Sequence, residues 1–335
     1  MKSRREFLKG AATGAVLLSS QSKLGLANVL DPREGKGKSR VVIARDPAVN
    51  GANGRPDEKR VLALLDRAMA AYTGQKNPVV AWKRIVAEGG GEGKVIGLKT
   101  NGLGGRGIST HAELVMAIAE RLQQAGVKPG NILVWDRNAR DLRACGLEIN
   151  TDSAGVRCYG SDVAGFESER ENWGTAHPQL SKILTRECAM VINLPILKDH
   201  SMAGVTFAMK NMYGVLQRPN ELHGAGCNPG VADLNCCPTI RSKFRLTIGD
   251  ALSSVYDGGP GFRPERLWYP NALLVSEDWV ALDQTAWEMI EHKRAEVGML
   301  TLEAAGRPPR YIATAADASH RLGTNDPKRI HKVEV

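Results

Sequence analysis

Between residues 94 and 137 the chain reads as strand, glycine-rich turn, helix and strand, and that rhythm constrains the fold more than any other feature. "KVIGLKTN" (94–101) is a short apolar run that ends on Lys99 and Asn101. "STHAELVMAIAERLQQAG" (109–126) then carries apolar residues three and four apart, as one buried helix face requires. Ser109 or Thr110 is placed to cap it, Glu113 to close a capping box with Thr110, and Gly126 to stop it. "NILVWDR" (131–137) is a strand again, with Asp136 near its end. A helix between two strands is a crossover connection, which pairs strands in parallel. The expected class is therefore α/β, a mostly parallel sheet flanked by helices, with a ligand crevice at the carboxyl ends of the strands.

The same rhythm continues elsewhere. "VVIAR" (41–45) reads as a first strand and "DEKRVLALLDRAMAAYTG" (57–74) as a helix with an acidic start. "LSKILTRECAMVINLP" (180–195) reads as helix then strand, and "FRLTIGDALSSV" (244–255) as a strand ending in Asp250. "NALLVSEDWVALDQTAWEMIEHK" (271–293) gives strand, turn and helix, and "RIHKVEV" (329–335) a short edge strand. Residues 140–176 are polar and less regular, and the sequence carries no internal repeat. Residues 40–335 are thus expected to form a single α/β domain. The 36 glycines suit the many tight turns such a fold needs. "GLGGRG" (102–107) lies between a strand and a helix, but the helix starts too late for a dinucleotide fingerprint.

The N-terminus reads as an address. "SRREFLK" (3–9) has the twin-arginine export pattern, an apolar small-residue segment follows at 11–18, and "GLA" (25–27) offers a cleavage site after Ala27. Residues 1–27 are therefore expected to be a signal peptide and residues 28–39 a flexible connector. Export in the folded state by the twin-arginine translocase would place the protein in the periplasm or outside the cell. The apolar run is too short for a permanent membrane anchor. The formal charge of +9 owes much to this segment, which holds five basic residues against Glu6. No basic run is interleaved with aromatics, so nucleic acid is not an expected partner.

The stretch that looks like a site is "VINLPILKDHSMAGVTFAMKNMYGVLQRPNELHGAGCNPGVADLN" (191–235). Two apolar segments each end in a lysine beside a second polar group: Lys198 with Asp199 and His200, then Lys210 with Asn211. His223 and Asp233 follow. The strand-end rule picks out the same kind of residue elsewhere, at Lys99, Asn101 and Asp136.

The order of "KVIGLKTN", "VINLPILKDH", "GVTFAMKNMYGV", the lone His223, "VADLN", "TIGDAL" and "SEDWVALD" resembles the domain of unknown function 362 family over residues 41–333. The resemblance implies an α/β fold and a set of motif positions, here Lys99, Asn101, Lys198, His200, Lys210, Asn211, His223, Asp233 and Asp250. It supplies no reaction. Where the family motif often has Thr, this chain has Asp199, a carboxylate at the edge of the site. Some members carry ferredoxin-type clusters, but the six cysteines here include no CxxC pair, so an iron-sulfur cluster is not expected. Cys227 with Cys236 or Cys237 is a candidate disulfide or thiolate ligand.

Three chemistries fit these residues. Converging lysines without matching carboxylates bind an anion. An enzyme acting on a small carboxylate or phosphate would then use Lys198, His200, Lys210 and His223 for catalysis, and Lys99, Asn101, Asn211 and Asp250 to bind substrate. A transition-metal cofactor would draw on His200, His223 and Asp233, with Cys227 able to join. The third is a periplasmic anion- or metal-binding or maturation protein without catalysis. The Gly-x-Ser-x-Gly elbow, the Walker loop and the zincin motif are all missing.

Overall fold

The computed structural model describes residues 38–51, 54–91 and 93–335. The expected signal peptide and the expected connector up to residue 37 lie outside them. Among the described residues eleven strands join one sheet. They are β1 (Ser39–Arg45), β2 (Ile96–Lys99), β3 (Ile132–Asp136), β4 (Arg157–Gly160), β5 (Met190–Asn193), β6 (Ile196–His200), β7 (Gly204–Thr206), β8 (Phe244–Val255), β9 (Leu267–Trp268), β10 (Ala272–Ser276) and β11 (Ile330–Glu334). The main path runs β11-β1-β10-β8-β5-β2-β3-β4. From β8 to β4 every pairing is parallel, and β10 runs antiparallel to both of its neighbours. The fold is the expected α/β sheet, and β11 is the expected edge strand.

Successive residues of a strand point to opposite faces, so each strand feeds two cores. Val41, Ile43, Leu133, Trp135 and Val191 pack into one, and Val42, Ala44, Ile132, Val134 and Ile192 into the other. The second core is covered by three helices: α1 (Glu58–Thr73), α2 (Pro78–Glu88) and α3 (Ala112–Gln124). The first is covered by α4 (Trp279–Glu296) together with the shorter helices Gly230–Cys236 and Tyr311–Ala316. Helix α1 begins where Asp57 accepts from the Arg60 amide and ends at Gly74, whose φ of 73° a glycine adopts without strain. Helix α2 was not among the expected elements, although Asn77 caps it and Pro78 opens it.

The expected capping box at Thr110 does not form. Helix α3 starts at Ala112, and His111 precedes it without a side-chain cap. The Thr110 hydroxyl instead accepts from the Asn101 amide at 2.8 Å and donates to the Leu194 carbonyl at 2.6 Å. It stitches together the ends of β2 and β5, a tertiary demand that outweighs local capping. Strand β8 also does not stop at Asp250 but runs five residues further. Its first part pairs with β5 and its last part with β6, which continues the line of β5 after Pro195. This extension carries residues 198–200 past the end of β5, where they pair with β7 and with the last part of β8. The expected helix before β5 is a single wide turn, Ile183–Glu187.

Candidate functional site

Seven of the expected site residues line one cavity of ≈ 700 Å³: Lys99, Asn101, Lys198, His200, Lys210, Asn211 and His223. Four separate chain segments bring them there, His223 coming from the end of the 3-10 turn Pro219–Leu222. Lys99 is the last residue of β2. Lys198 and His200 lie on β6, two residues apart and hence on one face. Lys210 and Asn211 open the tight 3-10 turn Lys210–Val215, which packs over the end of β2. Gly214 in this turn has a specific reason: a Cβ there would lie 2.5 Å from Lys99 Nζ and 2.7 Å from Asp136 Oδ1.

The floor of the cavity is a closed polar network. Lys99 Nζ donates to Asp136 Oδ1 at 2.6 Å, to the Thr100 carbonyl, and to Asn211 Oδ1 at 3.3 Å. Asp136 also accepts from the Gly102 amide at 2.6 Å. Asn211 donates to Asn193 Oδ1 at 2.7 Å and accepts from Asn101 Nδ2 at 3.1 Å. Of the three lysines expected to lack carboxylates, Lys99 therefore has one.

The other two do not. Lys198 Nζ donates to Asn101 Oδ1 at 3.0 Å and to the Ile108 carbonyl at 3.3 Å, both neutral acceptors. Lys210 Nζ lies 3.4 Å from His223 Nε2 and 3.9 Å from the centre of the Tyr213 ring. Among the described residues neither lysine is ion-paired with a carboxylate. Burial pushes the Lys198 ammonium down to about 8, with Lys210 and Lys99 adding repulsion. Burial likewise pushes Lys210 down to about 8.

The two histidines have opposite tautomers. His200 Nδ1 receives the Met202 and Ala203 amides at 3.1 and 3.2 Å, so that nitrogen is the acceptor and Nε2 carries the proton. Burial, then the Lys210 charge, pushes His200 down to about 2, which keeps it a neutral donor. His223 Nδ1 faces the Pro219 carbonyl at 3.1 Å, so Nδ1 carries the proton and Nε2 offers a lone pair to Lys210. Burial and the neighbouring Lys210 lower its pKa too. The rings stack with centroids 5.9 Å apart. The cavity thus holds one fixed imidazole donor and one imidazole acceptor, so the two histidines are not equivalent.

Three expected participants stand elsewhere. Asp199 alternates to the opposite side of β6 and binds Arg307 and the Gly259 amide. Burial raises it to about 6 despite Arg307. Asp250 is fully buried and accepts from the His111 amide and from His111 Nδ1, each at 2.8 Å. It anchors the start of α3 and does not line the cavity. Asp233 accepts from the Thr175 amide and hydroxyl and from His320 Nε2, so it does not join His200 and His223 as a metal set. Among the described residues no three His, Cys, Asp or Glu side chains are grouped to hold a metal ion. The candidate disulfide does not form either, and Cys227 instead lies beside Lys210 and Tyr213.

Sequence reasoning missed two contributors. Tyr213, which supplies the ring beside Lys210, sits in "KNMYG" right after the motif lysine, so its position was a readable signal. Arg307, which occupies Asp199, is more than a hundred residues away along the chain, and nothing local announces it.

A mixed, mostly parallel α/β sheet with a basic, imidazole-lined cavity defines the class of protein. The chain belongs to the family described as Domain of unknown function (DUF362), whose sequence profile matches residues 96–288. No curated protein sequence matches it. Solved structures that match parts of this chain include a structural-genomics crystal structure of a Thermotoga maritima protein, at 11% identity and a TM-score of 0.43. It covers 70% of this chain and 58% of that one. Another is the lactate racemase apoprotein from Thermoanaerobacterium thermosaccharolyticum, at 10% identity and a TM-score of 0.40, covering 76% of this chain and 57% of that one. The chain therefore spans less than two thirds of the length of either. No described helix is long and apolar enough to cross a membrane.

Proposed function

We infer that the cavity binds a small anionic molecule, a carboxylate or phosphate, and that the protein is an enzyme acting on it. One observation carries this reading: Lys198 and Lys210 are both buried in one cavity, and among the described residues neither is paired with a carboxylate. Two desolvated ammonium groups repel each other, and an anion between them relieves both costs at once. Asn101 holds Lys198 in place, and His200 Nε2–H is a second neutral donor to the bound group. His223 Nε2 is the proton acceptor, since its tautomer is set by the Pro219 carbonyl. The "SRREFLK" segment supports export through the twin-arginine translocase to the periplasm or cell exterior. Replacing Arg4 and Arg5 by Lys should then leave a full-length precursor in the cytoplasm.

The test of the binding reading is thermal stabilisation of purified protein by a panel of phosphates and mono- and dicarboxylates. Stabilisation that rises with concentration and vanishes in Lys210→Met supports it. A panel with no stabilising member, or one that stabilises both proteins alike, sinks it.

A further inference from the structure

We propose that Lys210 is a nucleophile that forms an imine with the carbonyl carbon of a 2-oxo carboxylate, whose carboxylate is held by Lys198. This deepens the anion-site reading and rests on it. The argument begins with the asymmetry between the two lysines. Lys198 is tethered by two oxygen acceptors, Asn101 Oδ1 at 3.0 Å and the Ile108 carbonyl at 3.3 Å, which suits a fixed ammonium with one proton left for a ligand. Among the described residues Lys210 has no oxygen partner: its neighbours are the Tyr213 ring face, the Cys227 thiol and His223 Nε2. A ring face attracts an ammonium far less than a carboxylate does. A lysine so placed, desolvated and held only by a thiol, an imidazole lone pair and a ring face, is in an environment in which the amine sheds its proton and becomes nucleophilic. Burial lowers both lysines to about 8, so it is their hydrogen-bond partners that separate their roles.

The neighbouring groups supply what the reaction needs. His223 Nε2 lies 3.4 Å from Lys210 Nζ with its lone pair free to take a proton. His200 Nε2–H lines the same cavity and is a neutral donor to the carbonyl oxygen. The amine nitrogen adds to the carbonyl carbon, forming the C–N bond as the carbonyl π pair moves onto oxygen. A proton then passes from nitrogen to oxygen by way of His223, giving the carbinolamine. The C–O bond breaks as the nitrogen lone pair forms the C=N bond. The departing hydroxide takes the remaining nitrogen proton, again through His223, and leaves as water. Amine plus carbonyl becomes imine plus water, with no oxidant or reductant required. Cysteine is not the nucleophile in this scheme: Cys227 is fully buried behind the lysine, and it does not line the cavity.

The experiment uses the full purified protein with pyruvate, 2-oxobutyrate, oxaloacetate, 2-oxoglutarate and phenylpyruvate in turn, each with and without sodium borohydride. Intact mass and peptide mapping follow. The expected result is one reduced adduct per chain, mapped to Lys210 and absent without borohydride. It should be lost in Lys210→Met and in Lys210→Arg, with both variants folded by circular dichroism. In Lys198→Met the adduct should still map to Lys210, with at least a tenfold higher concentration needed for half-maximal labelling. Lactate, which keeps the carboxylate but lacks the carbonyl, should protect Lys210 without forming an adduct. Thermal stabilisation by the same acids with no adduct from any of them overturns the imine and leaves the anion site standing. Adducts confined to other lysines, or equal labelling in Lys210→Arg, overturn it as well. No stabilisation and no adduct across the set overturns the imine, and the anion site then falls only if the phosphates and other carboxylates also fail to stabilise the protein.

Discussion

Lys99 and Lys210 face the same cavity in opposite electrostatic surroundings. Lys99 is enclosed by Asp136, the Thr100 carbonyl and Asn211, so its charge is matched and its hydrogen bonds are made. Lys210 has an imidazole, a thiol and a ring face. The first lysine closes the end of the sheet, and removing it would leave the buried Asp136 carboxylate with backbone amides but no counter-charge. The second adds little to the fold, and its burial without a counter-charge makes sense only if something else arrives. Residue type, burial and even location are shared, so the partner decides the role.

The largest effect expected from this contrast is on stability at the closed side. Lys99→Met strands Asp136, and breaking a buried pair from one end costs about 3–5 kcal/mol. Chemical denaturation should show that loss, and Asp136→Asn added to it should recover part of it. A Lys99→Met protein as stable as the parent would erase the distinction between the two lysines.

At the open side the same substitution should act on ligand instead. Lys210→Met should unfold at or above the parent's midpoint in ligand-free buffer, because a desolvated ammonium has been replaced by an apolar side chain. It should lose roughly 2–5 kcal/mol of anion affinity, as removal of a buried charge partner does. Titration calorimetry with the best-stabilising anion measures the second quantity. A large fall in ligand-free stability would move Lys210 into the same structural class as Lys99.

A pH series sharpens the comparison. Lys198 and Lys210 each fall from 10.5 to about 8 on folding, so between those values the unfolded chain binds more protons. Stability should therefore rise with pH across that window, by up to about 3 kcal/mol for each lysine, and be lost again as pH falls through 8. Subtracting the profile of Lys210→Met from that of the parent isolates one lysine from the other groups that titrate there. Anion affinity should run the other way and weaken above pH 8. A difference profile flat from pH 7 to 10.5 would mean that Lys210 is not desolvated as its position requires.

The smallest effect belongs to the rim. Arg218 also lines the cavity, but it is exposed and shares Glu221, so Arg218→Ala should change binding only a few-fold and mainly through association rate at low salt. A loss comparable to that of Lys210→Met would mean that the anion sits at the mouth.

Much of the fold could be read directly from the chain. Strands β1, β2, β3, β10 and β11 and helices α1, α3 and α4 follow from apolar spacing and from Gly74 or Asp278 at their ends. Helix α2 also carries its signals in the sequence, Asn77 as cap and Pro78 in its first turn. Six of the seven site residues were legible for one shared reason, since each ends an apolar run or closely follows one; His223 stands alone in a polar stretch and was legible only as a family motif position. Asp250 and Asp233 looked alike in that respect and are not in the cavity. A carboxylate's neighbours cannot be read from its own segment, and His111 and His320 come from distant ones.

What the sequence alone determined is the period of the strands, and with it which residues share a face. Lys198 and His200 must point together and Asp199 the other way, because side chains alternate along an extended backbone. What only the tertiary structure decided is which of those groups meet a counter-charge. Arg307 reaches Asp199 from the far end of the chain, Asp136 reaches Lys99 from the next strand, and no carboxylate pairs with Lys198 or Lys210 among the described residues. Charge pairing acts over a few ångströms of space, whereas sequence separation says almost nothing about that distance.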